Sequence, residues 1–599
     1  MPTRGKRLGT IYILLVALLL LFLGCREESI SDGTMRSDAT SKGSQPQFFT
    51  EVTESVGIDF DHQPGRYGSY FLPEIMGGGA AMLDFDSDGD LDLYFVNRTF
   101  RSVPGGPASD GEDLAQESTT NRLYRQEADG RFVDATKGSG LEDPGACGMG
   151  VAVGDVNNDG LPDVYLTNYG PDRLLLNTGE GVFVDITDEA GIVNRRWSAS
   201  AIFFDYDQDG WLDLFVTNYL DYVPGRPCVT RGKPEYCGPN VFPRTPDILF
   251  RNLGGDGERD SRAYFADVSV SSGIAGKLGA GLGVVCGDFN QDGRPDIYVA
   301  NDGHANFLWI NQEDGRFSEE AILVGAAYDR VGRGQGSMGL AMADMNDDER
   351  LDLVITHVAG ENNALYLSSG EYYEDGSVQS GISAASFPYT GWGVVLFDLD
   401  HDGDLDLAIA NGHIARKEDD SQSPSESASD GSNPWSPYFE PNQLLINDGT
   451  AAFRLLASSD DAFLEGREMS RALVAGDIDN DGDLDLLVTN IAGKARLFVN
   501  DADKSGNWLS VRATDPRYGN RDAYGAWIKV RADGRCWRQH LNPGSSYLSS
   551  HDPRLHFGLG KIDSIDSIDV VWPDGLTERF RGGPVNEFRV VSRGVGESQ

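Results

Sequence analysis

One nine-residue pattern, Asp-x-Asp/Asn-x-Asp-Gly-x-x-Asp, occurs seven times in this 599-residue chain, starting at Asp84, Asp155, Asp205, Asp288, Asp344, Asp398 and Asp477. Only the fifth copy lacks the glycine, with Glu349 in its place. A short apolar run such as Val151 to Val153 precedes each copy, and Leu-Asp-Leu or a close variant follows, opening a second run. Thirteen residues after the first Asp stands Asn97, Asn168, Asn218, Asn301, Asn411 or Asn490, and in the fifth copy His357. A third run (Arg173 to Asn177, Asn306 to Asn311) and a Phe-x-Asp-like fourth (Phe132-Val133-Asp134, Phe183-Val184-Asp185) complete the unit. Each repeat thus offers four strand candidates, A to D, with the Asp loop joining A to B. Repeats of four strands, 50 residues apart at the closest (Asp155 to Asp205) and 83 at the widest (Asp205 to Asp288), predict an all-β fold, a seven-bladed β-propeller.

The loop chemistry points to a hard cation. Oxygens at positions 1, 3 and 5 converge if a glycine at position 6 allows a sharp turn; position 7 offers its backbone carbonyl and the Asp at 9 can bind through both oxygens. The candidate ligands are Asp84, Asp86, Asp88, Asp90 and Asp92 in the first loop, and Asp155, Asn157, Asp159, Leu161 and Asp163 in the second. They are Asp205, Asp207, Asp209, Trp211 and Asp213 in the third, and Asp288, Asn290, Asp292, Arg294 and Asp296 in the fourth. Asp344, Asn346, Asp348, Arg350 and Asp352 follow in the fifth, Asp398, Asp400, Asp402, Asp404 and Asp406 in the sixth, and Asp477, Asp479, Asp481, Asp483 and Asp485 in the seventh. So many oxygen ligands select calcium over zinc or copper, up to seven ions in all. An EF-hand would need Glu at position 12 between helices, and that position after Asp84 is Phe95 inside a strand-like run. Glu349 puts a side chain where a positive φ is wanted, so the fifth site is expected to be the weakest or to stay empty.

Charge and termini place the chain. A net charge of -44 excludes nucleic acid as a partner, while 40% hydrophobic residues supply packed cores. Arg4, Lys6 and Arg7 precede an apolar run, Ile11 to Leu23, too short to span a bilayer. The run ends in Phe22-Leu23-Gly24-Cys25, which resembles a bacterial lipobox. Residues 1–25 are read as a lipoprotein signal with Cys25 the lipidated residue, and 26–47 as a flexible tether. The expected location is the outer membrane or cell surface, with a secreted form as the alternative. Cys228 and Cys237 share one Pro-containing loop and are expected to form a disulfide in an oxidising compartment. Cys147, Cys286 and Cys536 lie in or beside apolar runs and are expected to be small buried residues.

These repeats resemble the FG-GAP (VCBS-type) blades of integrin α chains, and more closely the cartilage acidic protein family. The tail agrees: Asn507-Trp508-Leu509, Gly525-Ala526-Trp527, Gly544 to Ser550, Leu555 to Gly560 and Trp572-Pro573-Asp574-Gly575 look like a UnbV/ASPIC domain. The division follows as 48–503 repeats, 504–593 a small C-terminal β domain and 594–599 a tail. The resemblance implies a calcium-stabilised adhesion or interaction scaffold, a monomeric ectodomain with a protein or glycan partner.

The run Phe49 to Val52 is a D-type strand ahead of any loop, and the seventh repeat ends after strand C. The first strand is therefore expected to complete the last blade. Three B–C connections carry long insertions, Thr99 to Thr120, Tyr219 to Pro246 and Gly412 to Pro441. They lie on the face opposite the Asp loops, so that face is the expected recognition surface, with Tyr222 and Tyr236 as contact residues. His304, His357 and His413 each follow a B strand and are read as turn residues. No nucleophile or acid–base constellation is evident, so the chain is read as no enzyme; the alternative is a propeller enzyme acting on an extracellular polymer from the central channel.

Overall fold

The computed structural model describes residues 47–599 apart from 65–67, 99–119, 144–145, 231, 255–262, 417–432, 458–460 and 502–505. Cys25, its tether and nearly all of the first insertion lie outside the described residues. The described residues are mostly β and form many small sheets.

Each repeat builds an antiparallel A–B–C ladder; in the second repeat Gly148–Gly154, Asp163–Asn168, Arg173–Asn177 and Phe183–Asp185 pair in chain order. B strands such as Asp-Val-Tyr-Leu-Thr-Asn are buried at every position. That is why they read as continuous β-branched and aromatic runs and do not alternate. A strands are small-residue runs for a steric reason. A Cβ on Gly150 would stand 3.0 Å from the Ala199 carbonyl of the next repeat. In D strands the Phe is buried and the Asp caps the turn beyond it, Asp185 accepting the Thr187 N–H at 3.0 Å.

Neighbouring repeats are stapled by two polar positions. Thr167, Thr217, Thr356 and Thr489 on B strands donate to A-strand carbonyls of the following repeat, Thr217 to Leu282 at 3.0 Å. The acceptor for Thr489 is Gly78, beside the A strand of the first repeat. Amides at the ends of C strands reach back to the preceding loop: Asn177 to the Phe85 carbonyl, Asn252 to Val156 and Asn311 to Tyr206, each at 2.8 Å. Gln126 of the first repeat donates to Ile478 of the seventh at 2.9 Å. The expected N-terminal strand is present. Phe49–Glu51 pairs antiparallel with Arg496–Asn500, and Asp461 accepts the Phe48 and Phe49 N–H groups.

The C-terminal domain has two small sheets. In one, Asn507–Asp515 lies between Leu555–Gly560 and Glu587–Ser592; in the other, Trp527–Ala532 lies between Arg535–His540 and Ser564–Val571. Residues 594–599 are no free tail: Glu597 and Ser598 pair with Arg579 and Glu578. The segment Gly544 to Ser550 leaves this domain and runs among the A strands. Ser549 and Ser550 pair with Ala80 and Ala81, Ser546 exchanges backbone hydrogen bonds with Leu340, and Val151 donates to the Leu548 carbonyl at 3.3 Å.

The side of the B–C connections is roofed by aromatic rings. Trp197 meets Tyr219 edge-on at 4.9 Å and Tyr222 packs on Phe242 at 4.8 Å. Tyr222 (9% exposed) and Tyr236 (8%) belong to this roof, which corrects the expectation that they present contact area. The Tyr222 hydroxyl accepts the Leu72 N–H and the Tyr236 hydroxyl donates to Glu74 at 2.6 Å. Segment 68–78 folds over the insertion and buries its apolar side. The sequence could not show this, since the two segments lie about 150 positions apart. The Cys228–Cys237 disulfide is formed and ties the base of a hairpin, Cys228–Thr230 with Lys233–Glu235. Cys147 and Cys286 are buried, while Cys536 is half-exposed at the surface strand Arg535–His540.

Candidate metal centres

The seven Asp loops share one construction. The Asp at position 9 opens strand B and is buried; its Oδ2 accepts the N–H of position 2 and its Oδ1 the N–H that ends strand C. For Asp92 these donors are Phe85 (3.1 Å) and Gln126 (2.8 Å), and for Asp406 they are Leu399 (3.0 Å) and Asn447 (2.8 Å). In six loops position 1 accepts two N–H groups from the turn, as Asp398 does from Asp402 and Gly403, while Asp477 accepts only that of Gly482. Position 5 accepts from position 7 in every loop, as Asp402 does from Asp404 at 2.9 Å. Glycine at position 6 takes a positive φ, 97° at Gly89 and 95° at Gly482, and Glu349 takes 71° in the fifth loop as expected.

In four loops three carboxylates offer oxygens within 4.8 Å of one another: Asp84, Asp86 and Asp92; Asp205, Asp207 and Asp213; Asp398, Asp400 and Asp406; Asp477, Asp479 and Asp485. These are positions 1, 3 and 9. The position-5 carboxylates Asp88, Asp209, Asp402 and Asp481 are not part of those groups. In loops two, four and five an Asn stands at position 3, and Asn157 and Asn290 turn their amides onto Asp159 and Asp292.

Two observations test whether a cation fits. Asp86 Oδ1, Asp207 Oδ1, Asp400 Oδ1 and Asp477 Oδ1 are buried oxygens with no hydrogen-bond partner, one in each of the four loops with three converging carboxylates. A buried acceptor without a donor is costly. Burial also pushes the Asp92 and Asp296 carboxyls up to about 8, Asp406 to about 9, and Asp163, Asp213 and Asp485 well above the carboxylate range. Such a group beside further carboxylates in one turn needs a cation or protons, and oxygen-only donors suit calcium.

The Asp-loop face is not free. Arg521 of the C-terminal domain donates to Asn158 Oδ1 (2.6 Å) and the Gly210 carbonyl (3.2 Å), bridging loops two and three. Arg535 donates to Asp404 at 2.7 Å and Arg554 to the Asp477 carbonyl at 2.7 Å. Loop glycines serve this contact as well as the turn: a Cβ on Gly482 would lie 1.9 Å from the Trp508 ring. The sequence reading missed these arginines. One signal was available, since residues 504–599 hold 14 Lys and Arg against 11 Asp and Glu, net +3 in a chain of -44. Of the histidines, His357 is buried against Ser337 at 3.2 Å and in its own repeat.

These loops and ladders are FG-GAP-like repeats: that family matches residues 84–166, 155–216, 288–355 and 344–409, and the ASPIC and UnbV family matches 517–598. Over most of its length the chain is a distant homologue of cartilage acidic protein 1. It is 26% identical to the mouse protein over 561 residues, 89% of this chain and 75% of that one. Identity to the human protein is 26% over 597 residues, covering 95% and 77%. Among solved structures, an Agrocybe aegerita lectin recognising non-reducing terminal N-acetylglucosamine gives a TM-score of 0.37 at 15% identity, covering 64% of this chain and 88% of that one. The rhamnogalacturonan lyase YesW gives 0.36 at 13%, covering 72% of each. At such scores neither fold nor ligand carries over.

Proposed function

We propose that this chain is a calcium-stabilised extracytoplasmic interaction scaffold, a seven-bladed propeller that takes a protein or glycan partner on the face opposite its calcium loops. The converging carboxylates with their orphaned oxygens carry the calcium part. Ring closure is supported by the packing of first-repeat strand Ala80–Leu83 against seventh-repeat strand Ser470–Gly476, and by the Gln126 and Thr489 staples. The choice of face follows from the C-terminal domain, which covers the loop side through Arg521, Arg535 and Arg554. A binding role rather than a catalytic one is supported by the axis, which Ser546, Tyr547 and Leu548 fill; Tyr547 is buried and donates to the Met76 carbonyl at 2.8 Å.

The disulfide-tied insertion keeps exposed apolar residues of its own, Val223 (61%) and Val229 (63%). A tied loop is ordered before it binds and loses little entropy on docking. Protein and glycan arrays probed with the full ectodomain should give hits that Val223→Asp with Val229→Asp weakens at least tenfold, with an unshifted melting temperature. Capture that survives this pair and fails only on changes at the loop side would reverse the choice of face.

We place the protein at the cell envelope through a lipid on Cys25. A lipidated cysteine with a flexible tether holds a mobile ectodomain at a membrane. Cys25→Ser should move the protein from the envelope fraction to the soluble one, and unchanged fractionation would rule the anchor out.

A further inference from the structure

The fifth loop differs from the other six in what sits on its first carboxylate. Arg538, from strand Arg535–His540 of the C-terminal domain, donates to Asp344 Oδ2 from Nε at 2.9 Å and from Nη2 at 2.8 Å. Nη1 of the same guanidinium stands 3.3 Å from Glu349 Oε2. The pair is buried, with the Asp344 side chain 2% exposed and that of Arg538 9%, and the Trp527 ring packs against the guanidinium at 5.3 Å. Asp344 is otherwise satisfied by the Asp348 and Glu349 N–H groups at 3.0 Å each. Arg350 occupies Asp348 at 2.9 Å. Among the described residues this loop has no orphaned carboxylate oxygen, and no other first-position aspartate carries an ion pair.

We propose that Arg538 is the resident cation of the fifth loop: it stands where a calcium ion would, the loop takes up none, and the C-terminal domain is fastened to this repeat without calcium. A guanidinium is always charged and presents its donors in a planar fork, so one group can face two carboxylates. This accounts for Glu349 as well. The residue that strains the turn supplies the second carboxylate to the fork, where the other six loops have a glycine that supplies nothing. The donor set of this loop therefore does not fit calcium, whereas loops one, three, six and seven do.

The inference rests on the calcium reading of the other loops, and the test separates the two. EGTA-stripped full-length protein is reloaded by equilibrium dialysis against calcium, and bound calcium per chain is counted by elemental analysis. Asp398→Asn with Asp400→Asn, in the sixth loop, is expected to remove one calcium; no loss there would overturn the calcium reading and this inference with it. Asp344→Asn with Asp348→Asn is expected to leave the count unchanged, and loss of one ion would show that the fifth loop is an ordinary site. Arg538→Gln bares the Asp344 carboxylate and is expected to add one calcium. An unchanged count in that variant would mean that something other than Arg538 keeps the ion out, which also overturns the assignment. If the Asp344 pair does not fold, Arg538→Gln decides alone.

Discussion

Withdrawing calcium with EGTA is expected to lower the melting temperature by about 5 °C, and restoring calcium to reverse the change. The size follows from linkage. A site with Kd on the order of 10⁻⁴ M gains roughly 1.4 kcal/mol at 1 mM free calcium when the unfolded chain does not bind. The four loops with converging carboxylates then contribute about 6 kcal/mol, a large part of the net stability of most domains. A kilocalorie moves the midpoint of a chain this long by less than the roughly 2–4 °C typical of 150–250 residues. Scanning fluorimetry in calcium, EGTA and magnesium reads the effect. Magnesium should not substitute, because it demands octahedral geometry and holds its water. Equal midpoints in calcium and EGTA would sink the calcium reading of all the loops.

The second large effect is at Tyr236. Its ring is packed at 5.5 Å from Tyr70 and 6.2 Å from Tyr438, and its hydroxyl serves the fully buried Glu74. Burial pushes the Glu74 carboxyl up to about 7, against which the Ser69 and Tyr236 hydroxyls act. Truncating a buried aromatic to alanine costs roughly 3–5 kcal/mol, and here it also strips a donor from a buried carboxyl. Tyr236→Phe keeps the packing and loses the donor, for about 1–3 kcal/mol. Urea unfolding should order the proteins as wild type, then Phe, then Ala. A fully stable Tyr236→Ala protein would mean that the roof over the B–C side is not part of the folded core.

Much of the fold was legible because its signal is periodic. Seven loops at one register disclosed the strand order, and the excess of a D-type strand at Phe49 disclosed its pairing with the last C strand. The Cys228–Cys237 bond was legible because the two residues are close in the chain. What escaped was non-periodic or far apart. Tyr222 and Tyr236 looked like surface aromatics in a polar insertion, since nothing nearby in sequence announces that segment 68–78 lies on them. The C-terminal domain was legible as a small β domain after the repeats, but the role of its arginines was not, because each meets its loop only across 77 to 363 positions of chain. The C-strand amides Asn177 and Asn311 were visible as strand ends, yet their reach to the previous repeat is a tertiary fact. Gly544 to Ser550 was read as a motif of the tail domain, and it turned out to be the filling between the A strands.

The pairing of Phe49–Glu51 has a consequence in time. Thr50 and its partner Asp501 are 451 positions apart, so at 5–20 residues per second the first strand waits roughly 20–90 s for its neighbour to be synthesised. During that interval six repeats can assemble in order, each on the last, while Phe49–Glu51 has no strand to pair with. Closing the seventh repeat is a long-range step of the kind that slows folding, and once made, Arg496–Asn500 offers an unpaired strand edge to any other chain until Phe49–Glu51 docks on it. A chain shortened to begin after Val52 would retain its Asp loops, lose the buried Phe48 and Phe49 from one core cluster, and keep that edge permanently open. Its defect would be self-association through one strand, arising in a molecule whose repeats are otherwise folded.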